Sequence, residues 1–288
     1  MKIAIVTDSN SAITPATAKE KGITVIPMPF LIDDEEFFED VTITREDFYK
    51  KLHDGARVVT SQPSPEVVTQ LWDNLLKDYD QIVHIPMSSG LSGACQTAHM
   101  LSEDYDGKVQ VVNNQRICPT LRDSVYDALT LASQGMSALE IKEKLEAVKF
   151  ESTIYIMVGT LEYLKRGGRI TPAVATIGSL LKLKPVLAIH GEKLDAHATV
   201  RTLQAGKKNL VDSAISDMKK LIGDEEPTHY HISVAYSEFD TEAQIFKKEL
   251  EDVFPGCEII VEPLSLSVAC HIGPESLAIA LSRKIEVS

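Results

Sequence analysis

The chain has 288 residues, 44% hydrophobic and 25% charged, a balance that belongs to folded globular proteins and excludes a disordered chain. Its 29 basic and 42 acidic side chains give a formal net charge of −13, which repels a phosphate backbone on average, so no nucleic acid partner is expected. No window reaches the roughly 18 apolar residues of a membrane span, and Cys95, Cys118, Cys257 and Cys270 lack Cys-x-x-Cys spacing. A cytoplasmic chain with reduced thiols and no integral membrane association is expected.

Lys2 to Thr7 reads as a short buried strand, and Thr14-Pro15 then supplies an N-cap followed by proline at the first helical position. Residues 23–32 are extended and proline-marked, and the acidic run Asp33 to Glu36 reads as a turn or solvated edge. Ser64 to Lys77 carries a serine cap, a proline, and apolar residues at Val67, Val68, Leu71 and Leu75, which is helical spacing. A strand over 81–86, a helix over 92–101 and a strand over 108–112 follow, and this alternation predicts a mostly parallel sheet with helices on its faces. Helices are expected over about 120–134 and 137–148, divided at Gly135 with Ser137 as the new cap.

From Thr153 the alternation starts again. Strands are expected over 153–158, toward 189, and over 229–235 and 257–261, with helices over 202–221, 238–254 and 274–281. The fold class is therefore α/β, with two α/β domains, 1–150 and 151–288, each built on a mostly parallel sheet.

Two hydroxyl-rich clusters stand where helices are about to begin: Thr60-Ser61 ahead of Pro65, and Ser88 to Ser92. Each alone reads as routine capping; together they could hold an anion with hydroxyl and amide donors and no cation. Gly90-Leu91-Ser92-Gly93 also invites comparison with a nucleophile elbow. The second glycine comes one residue too early, however, and a serine esterase would need His271 as the base for Ser92. Leu164 to Ile170 is a basic, glycine-rich turn that fits either a solvated loop or a docking surface for an anionic partner. His229 and His231 share one strand face, but no carboxylate or thiol stands at fitting spacing, so no metal is expected.

The segments IVTDS (5–9), TSQPS (60–64), SSGLSG (88–93), KRGGRI (165–170), LKPV (183–186) and HIGP (271–274) keep the order in which they occur in the DegV family, which the chain resembles over essentially its whole length. Members of that family include the fatty-acid-binding subunits, called FakB, of a bacterial fatty acid kinase. The resemblance implies two α/β domains with a long-chain fatty acid, palmitate-like, buried non-covalently in the cleft between them. It implies carboxylate binding by Thr60, Ser92 and His271, with Ser61 and Gly93 supporting the head-group loops. A separate ATP-binding kinase subunit would then phosphorylate the carboxylate for phospholipid metabolism, so the chain itself would be a lipid-binding protein with no cofactor and not an enzyme. Arg166, Arg169 and Arg201 match family arginines associated with that partner. Glu275 departs from the family, which more often has glycine directly after Gly-Pro; its carboxylate would disfavour an ionised acid nearby. Residues 174–181 and 26–31 are the apolar runs that would line a tail channel or serve as ordinary core.

Overall fold

The computed structural model describes residues 1–171, 183–191 and 193–285, and divides into two compact units, Met1–Lys149 with Ile285, and Phe150–Lys284. The first unit contains strands β1 (Ile3–Asp8), β2 (Ile23–Ile26), β3 (Pro29–Ile32), β4 (Glu35–Phe38), β5 (Val58–Thr60), β6 (Gln81–Ile85) and β7 (Val109–Val111). Its helices are α1 (Pro15–Lys21), α2 (Arg45–His53), α3 (Pro65–Leu75), α4 (Ala94–Ser102), α5 (Pro119–Ser133) and α6 (Ala138–Ala147).

Strands β2, β1, β6 and β7 form, in that spatial order, a fully parallel sheet. Side chains alternate across it. Ala4, Val6 and Ile82 turn toward Val68 and Trp72 of α3 and toward Cys95 and Ala98 of α4, while α5 and α6 pack against the same sheet. The helices begin where capping chemistry says they should. Ser64 accepts the amide of Val67 ahead of Pro65, and Ser137 with Glu140 forms a reciprocal capping box at the start of α6.

A second, antiparallel sheet of β4, β3 and β5 was not expected from the sequence. Asp33 and Asp34, read as a turn, are the two left-handed residues of a tight hairpin joining β3 to β4, with φ of 49° and 69°. Phe30 of β3 stacks on Phe37 of β4, and Phe48 of α2 meets Phe30 edge to face.

The second unit contains β8 (Ser152–Met157), α7 (Glu162–Gly167), β9 (Lys184–Ile189), β10 (Leu194–Val200), α8 (Leu203–Asp217), β11 (Tyr230–Ser237), α9 (Asp240–Val253), β12 (Ile259–Pro263), α10 (Leu266–Ile272) and β13 (Ser276–Arg283). Its sheet order is β10-β9-β8-β13-β11-β12. This sheet corrects the expectation of a mostly parallel arrangement. Strands β11 and β12, joined through α9, are parallel, whereas the β10/β9, β9/β8, β8/β13 and β13/β11 pairs are antiparallel. The short connection from β9 to β10 forces an antiparallel hairpin, since a parallel crossover needs about a dozen residues.

The helix expected over 274–281 is also corrected, because that segment is β13. Alanine and leucine favour helices, but here Leu277, Ile279 and Leu281 fall on alternate positions and join the core against α8 and α9, with Ala278 and Ala280 between them. Tertiary packing of a period-two pattern overrides local propensity.

Candidate functional site

The order of the parallel sheet locates a crevice in unit 1. Counting only its own strands in chain order, the sheet runs 2-1-3-4, so the direction of winding reverses between β1 and β6. Ligands of open α/β sheets bind outside the carboxyl ends of the strands at such a point. Asp8 ends β1 there and is fully buried. Its carboxylate accepts the amide of Asn10 at 2.9 Å and the amide of Met87 at 2.8 Å, fastening the turn after β1 to the loop after β6. Burial pushes the carboxyl up to about 6, against the lowering effect of those bonds. Sequence reasoning passed over Asp8 as a site residue; its position directly after a buried apolar strand was the available signal.

The Met87 loop continues into the hydroxyl cluster. Ser88 is buried, its amide donates to Arg116 O, and its carbonyl accepts the amides of Leu91 and Ser92. Ser92 accepts the amide of Ala94 at 3.2 Å. A serine hydroxyl has one proton and two lone pairs, so this bond leaves its proton to donate outward. Gly93 occupies the N-cap position of α4.

Thr60 does not stand at a helix mouth, as expected from Pro65, but at the end of β5, where it pairs with Phe30. Ser61 extends that attachment by donating its amide to Pro29 O. The chain then turns so that Gln62 reaches α4. Gln62 Nε2 lies 3.1 Å from Thr97 Oγ1, and Gln62 Oε1 lies 3.3 Å from the same hydroxyl. A Cβ built on Gly93 would stand 3.1 Å from Gln62 Oε1, so the glycine gives the amide room. The structure thus brings the TSQPS and SSGLSG segments together within one unit, through a residue the sequence reading did not single out.

Beneath them lies a cavity of about 20 Å³ bounded by Asp8, Met28, Pro63, His84 and Thr97, with room for about one water-sized group. His84 is buried against Trp72, with ring centroids 5.6 Å apart, and burial pushes its imidazole down to about 3, so it is neutral. Ile26 and Met28 of the apolar run 26–31 border this cavity, while Phe30 is core. The other expected tail-lining run, 174–181, lies outside the described residues.

His271, Arg166, Arg169 and Arg201 belong to unit 2. His271 was expected in a loop, but it occupies the last turn of α10. Likewise Leu164 to Gly167 of the basic turn belong to α7, which ends at the left-handed Gly168. The two helices pack very closely. A Cβ on Gly167 would collide with His271 Nδ1, and one on Gly273 would collide with the Tyr163 ring. Burial, then the nearby Arg169 guanidinium, push His271 down to about 4. A cation therefore stands close to this histidine. Arg166 is exposed, paired with Glu162 one turn earlier, and Arg201 is exposed just after β10. His229 and His231 do not share a strand face: His229 lies in a tight turn before β11, bonded to Asp224 at 2.9 Å. Among the described residues no three His, Cys, Asp or Glu side chains converge on a metal position.

The His271 shift has a consequence for stability. The imidazole titrates near 6.5 in the unfolded chain and near 4 when folded, so as pH falls below 6.5 the unfolded state takes up the proton first. Stability from this group is complete above 6.5 and declines by up to about 3 kcal/mol as pH approaches 4. We expect His271→Asn to flatten urea-unfolding stability between pH 6.5 and 4; an unaltered slope would mean that His271 is not the titrating group.

Comparison with known proteins bears on these features directly. The DegV family model, described as "Uncharacterised protein, DegV family", matches residues 2–284. A DegV domain-containing protein of Streptococcus pyogenes serotype M6 is 30% identical over 295 residues, covering 99% of this chain and 100% of its own; one of Staphylococcus aureus strain N315 is 28% identical over 280 residues, covering 97% and 98%. Among solved structures, a DegV family protein from Thermus thermophilus, described as fatty acid binding, superposes with a TM-score of 0.89 at 27% identity, covering 98% of this chain and 100% of its own. DegV from Bacillus subtilis, described as a fatty acid binding protein, gives 0.86 at 27% identity, with 99% and 100% covered. The family match spans both units, from the strand that ends at Asp8 to the close of β13, and the chain belongs to the DegV family.

Proposed function

We propose that the protein binds a long-chain fatty acid non-covalently and presents its carboxylate to the ATP-binding subunit of a fatty acid kinase. The observation that carries the binding reading is the joining of the Thr60 and Ser92 segments at the switch point of the parallel sheet, with a Ser92 hydroxyl oriented by its bond from Ala94. The fatty-acid-binding descriptions of the Thermus thermophilus and Bacillus subtilis relatives support it.

The energetics divide the work. About fifteen methylenes at about 0.8 kcal/mol each contribute roughly 12 kcal/mol before ordering costs, so the tail supplies affinity. Hydrogen bonds to a charged group add about 1.5–3 kcal/mol each, so Thr60 and Ser92 fix where the carboxylate lies. Neutral donors hold the carboxylate while leaving an oxygen nucleophilic enough to attack a phosphoryl group. The family resemblance adds His271 to the donors, with Ser61 and Gly93 shaping the loops. Arg166 and Arg201, both exposed, and Arg169 are then the docking residues for the kinase subunit.

The esterase alternative has little to support it. A histidine pushed down to about 4 is a poor general base at neutral pH, where a base needs a pKa near the working pH. The kinase role is tested by incubating the palmitate-loaded chain with a fatty acid kinase subunit, ATP and magnesium, then trapping acyl phosphate with hydroxylamine. A hydroxamate that requires the chain and is reduced in Arg166→Ala and Arg201→Ala is expected. A yield equal to that from free palmitate would overturn the kinase role.

A further inference from the structure

The two hydroxyl segments hang from different sheets, since Thr60 ends a strand of the antiparallel sheet and Ser92 follows a strand of the parallel one. A carboxylate shared between them requires a fixed gap, because hydrogen bonds to oxygen weaken outside a narrow range of distance and angle. Hydrogen bonds tie each segment to its own sheet: Ser61 N donates to Pro29 O, and Met87 N donates to the Asp8 carboxylate. Something must set the spacing across the gap.

We propose that Gln62 is a positioning residue of the head-group site, clasping the Thr60 segment to the helix that Ser92 precedes. Its amide faces the Thr97 hydroxyl with both of its polar atoms, Nε2 donating at 3.1 Å and Oε1 accepting at 3.3 Å. Thr97 lies one turn beyond Gly93, whose lack of a side chain leaves the amide its place. Pro63 and Pro65 on one side limit backbone swing, so the amide transmits the position of α4 to Thr60. Gln62 touches no reacting atom in this account. It acts through the separation of the two donors, and the inference rests on reading Thr60 and Ser92 as those donors.

The test is a double-mutant cycle on the delipidated full-length chain, with palmitate affinity measured by calorimetry and folding followed by urea unfolding. Gln62→Met and Thr97→Val should each weaken binding about tenfold, the double variant should be no weaker than either single one, and Thr97→Ser should bind as the parent does. A residue with a merely structural role would lower the urea midpoint without this coupling in affinity. Additive losses, or unchanged affinity in the single variants, would overturn the clasp. If the parent chain binds no palmitate, the head-group reading itself fails, and that outcome is distinct because it appears before any substitution is made. Should Thr97→Val unfold, Gln62→Met against Thr97→Ser still decides, because Gln62 is only partly buried.

Discussion

Replacing both Thr60 and Ser92 by alanine should strip the protein of retained lipid while leaving it folded. Each hydroxyl removed takes away a bond to a charged group, about 1.5–3 kcal/mol, so the pair together should weaken binding by roughly a hundredfold or more. The structural cost is smaller. Ser92 loses one bond from the Ala94 amide, and Thr60 lies at the end of a three-residue strand whose pairing to Phe30 is made by the backbone. Neither change opens a cavity in the apolar core. Mass spectrometry of organic extracts from the parent and the double variant should therefore show lipid in the first and little in the second, with similar circular dichroism. Equal lipid content in the two would refute the assignment of the head-group donors.

Gly273→Ala should destabilise unit 2 by about 3 kcal/mol, through two mechanisms that act at one atom. The residue has φ of 78° and ψ of −174°, a conformation that only glycine adopts without strain. Any Cβ there would also collide with the Tyr163 ring, driving α7 away from α10. The carbonyl of Gly273 accepts the Ser237 hydroxyl at 2.6 Å, so the backbone cannot rotate freely to escape. Urea unfolding monitored by circular dichroism should show the loss as a lower midpoint. A midpoint equal to the parent's would mean that α7 and α10 are less closely packed than described. Gly167→Ala isolates the steric part: Gly167 has no positive φ, and its Cβ would collide with His271 Nδ1, displacing the imidazole.

Much of unit 1 was legible because its signals are local and agree with one another. The apolar run before Asp8, the Ser64-Pro65 start of α3 and the Ser137 cap of α6 each specify an element without help from distant residues. Unit 2 was less legible because its strands depend on partners far away in sequence. Strand β13 pairs with β8, more than a hundred residues earlier, and nothing within Ser276 to Arg283 announces that partner. Its alternating Leu and Ala fit a strand face, yet a preceding proline and high alanine content read as a helix start. The TSQPS and SSGLSG segments, read together in the sequence, lie together in unit 1, whereas Gln62 was not singled out. A glutamine between a serine and a proline carries no charge, and its hydrogen-bond partner, Thr97, lies thirty-five residues later. Asp8 was hidden for the opposite reason, since an aspartate after a strand also reads as an ordinary turn residue.

These features together make the lipid load of the native protein the decisive quantity. Native mass spectrometry of the full-length chain, paired with analysis of its organic extract, should show the mass of the polypeptide plus one fatty acid that leaves intact on denaturation. A chain carrying no fatty acid after exposure to palmitate, or a covalent acyl adduct on Ser92 in place of a releasable ligand, would contradict the account.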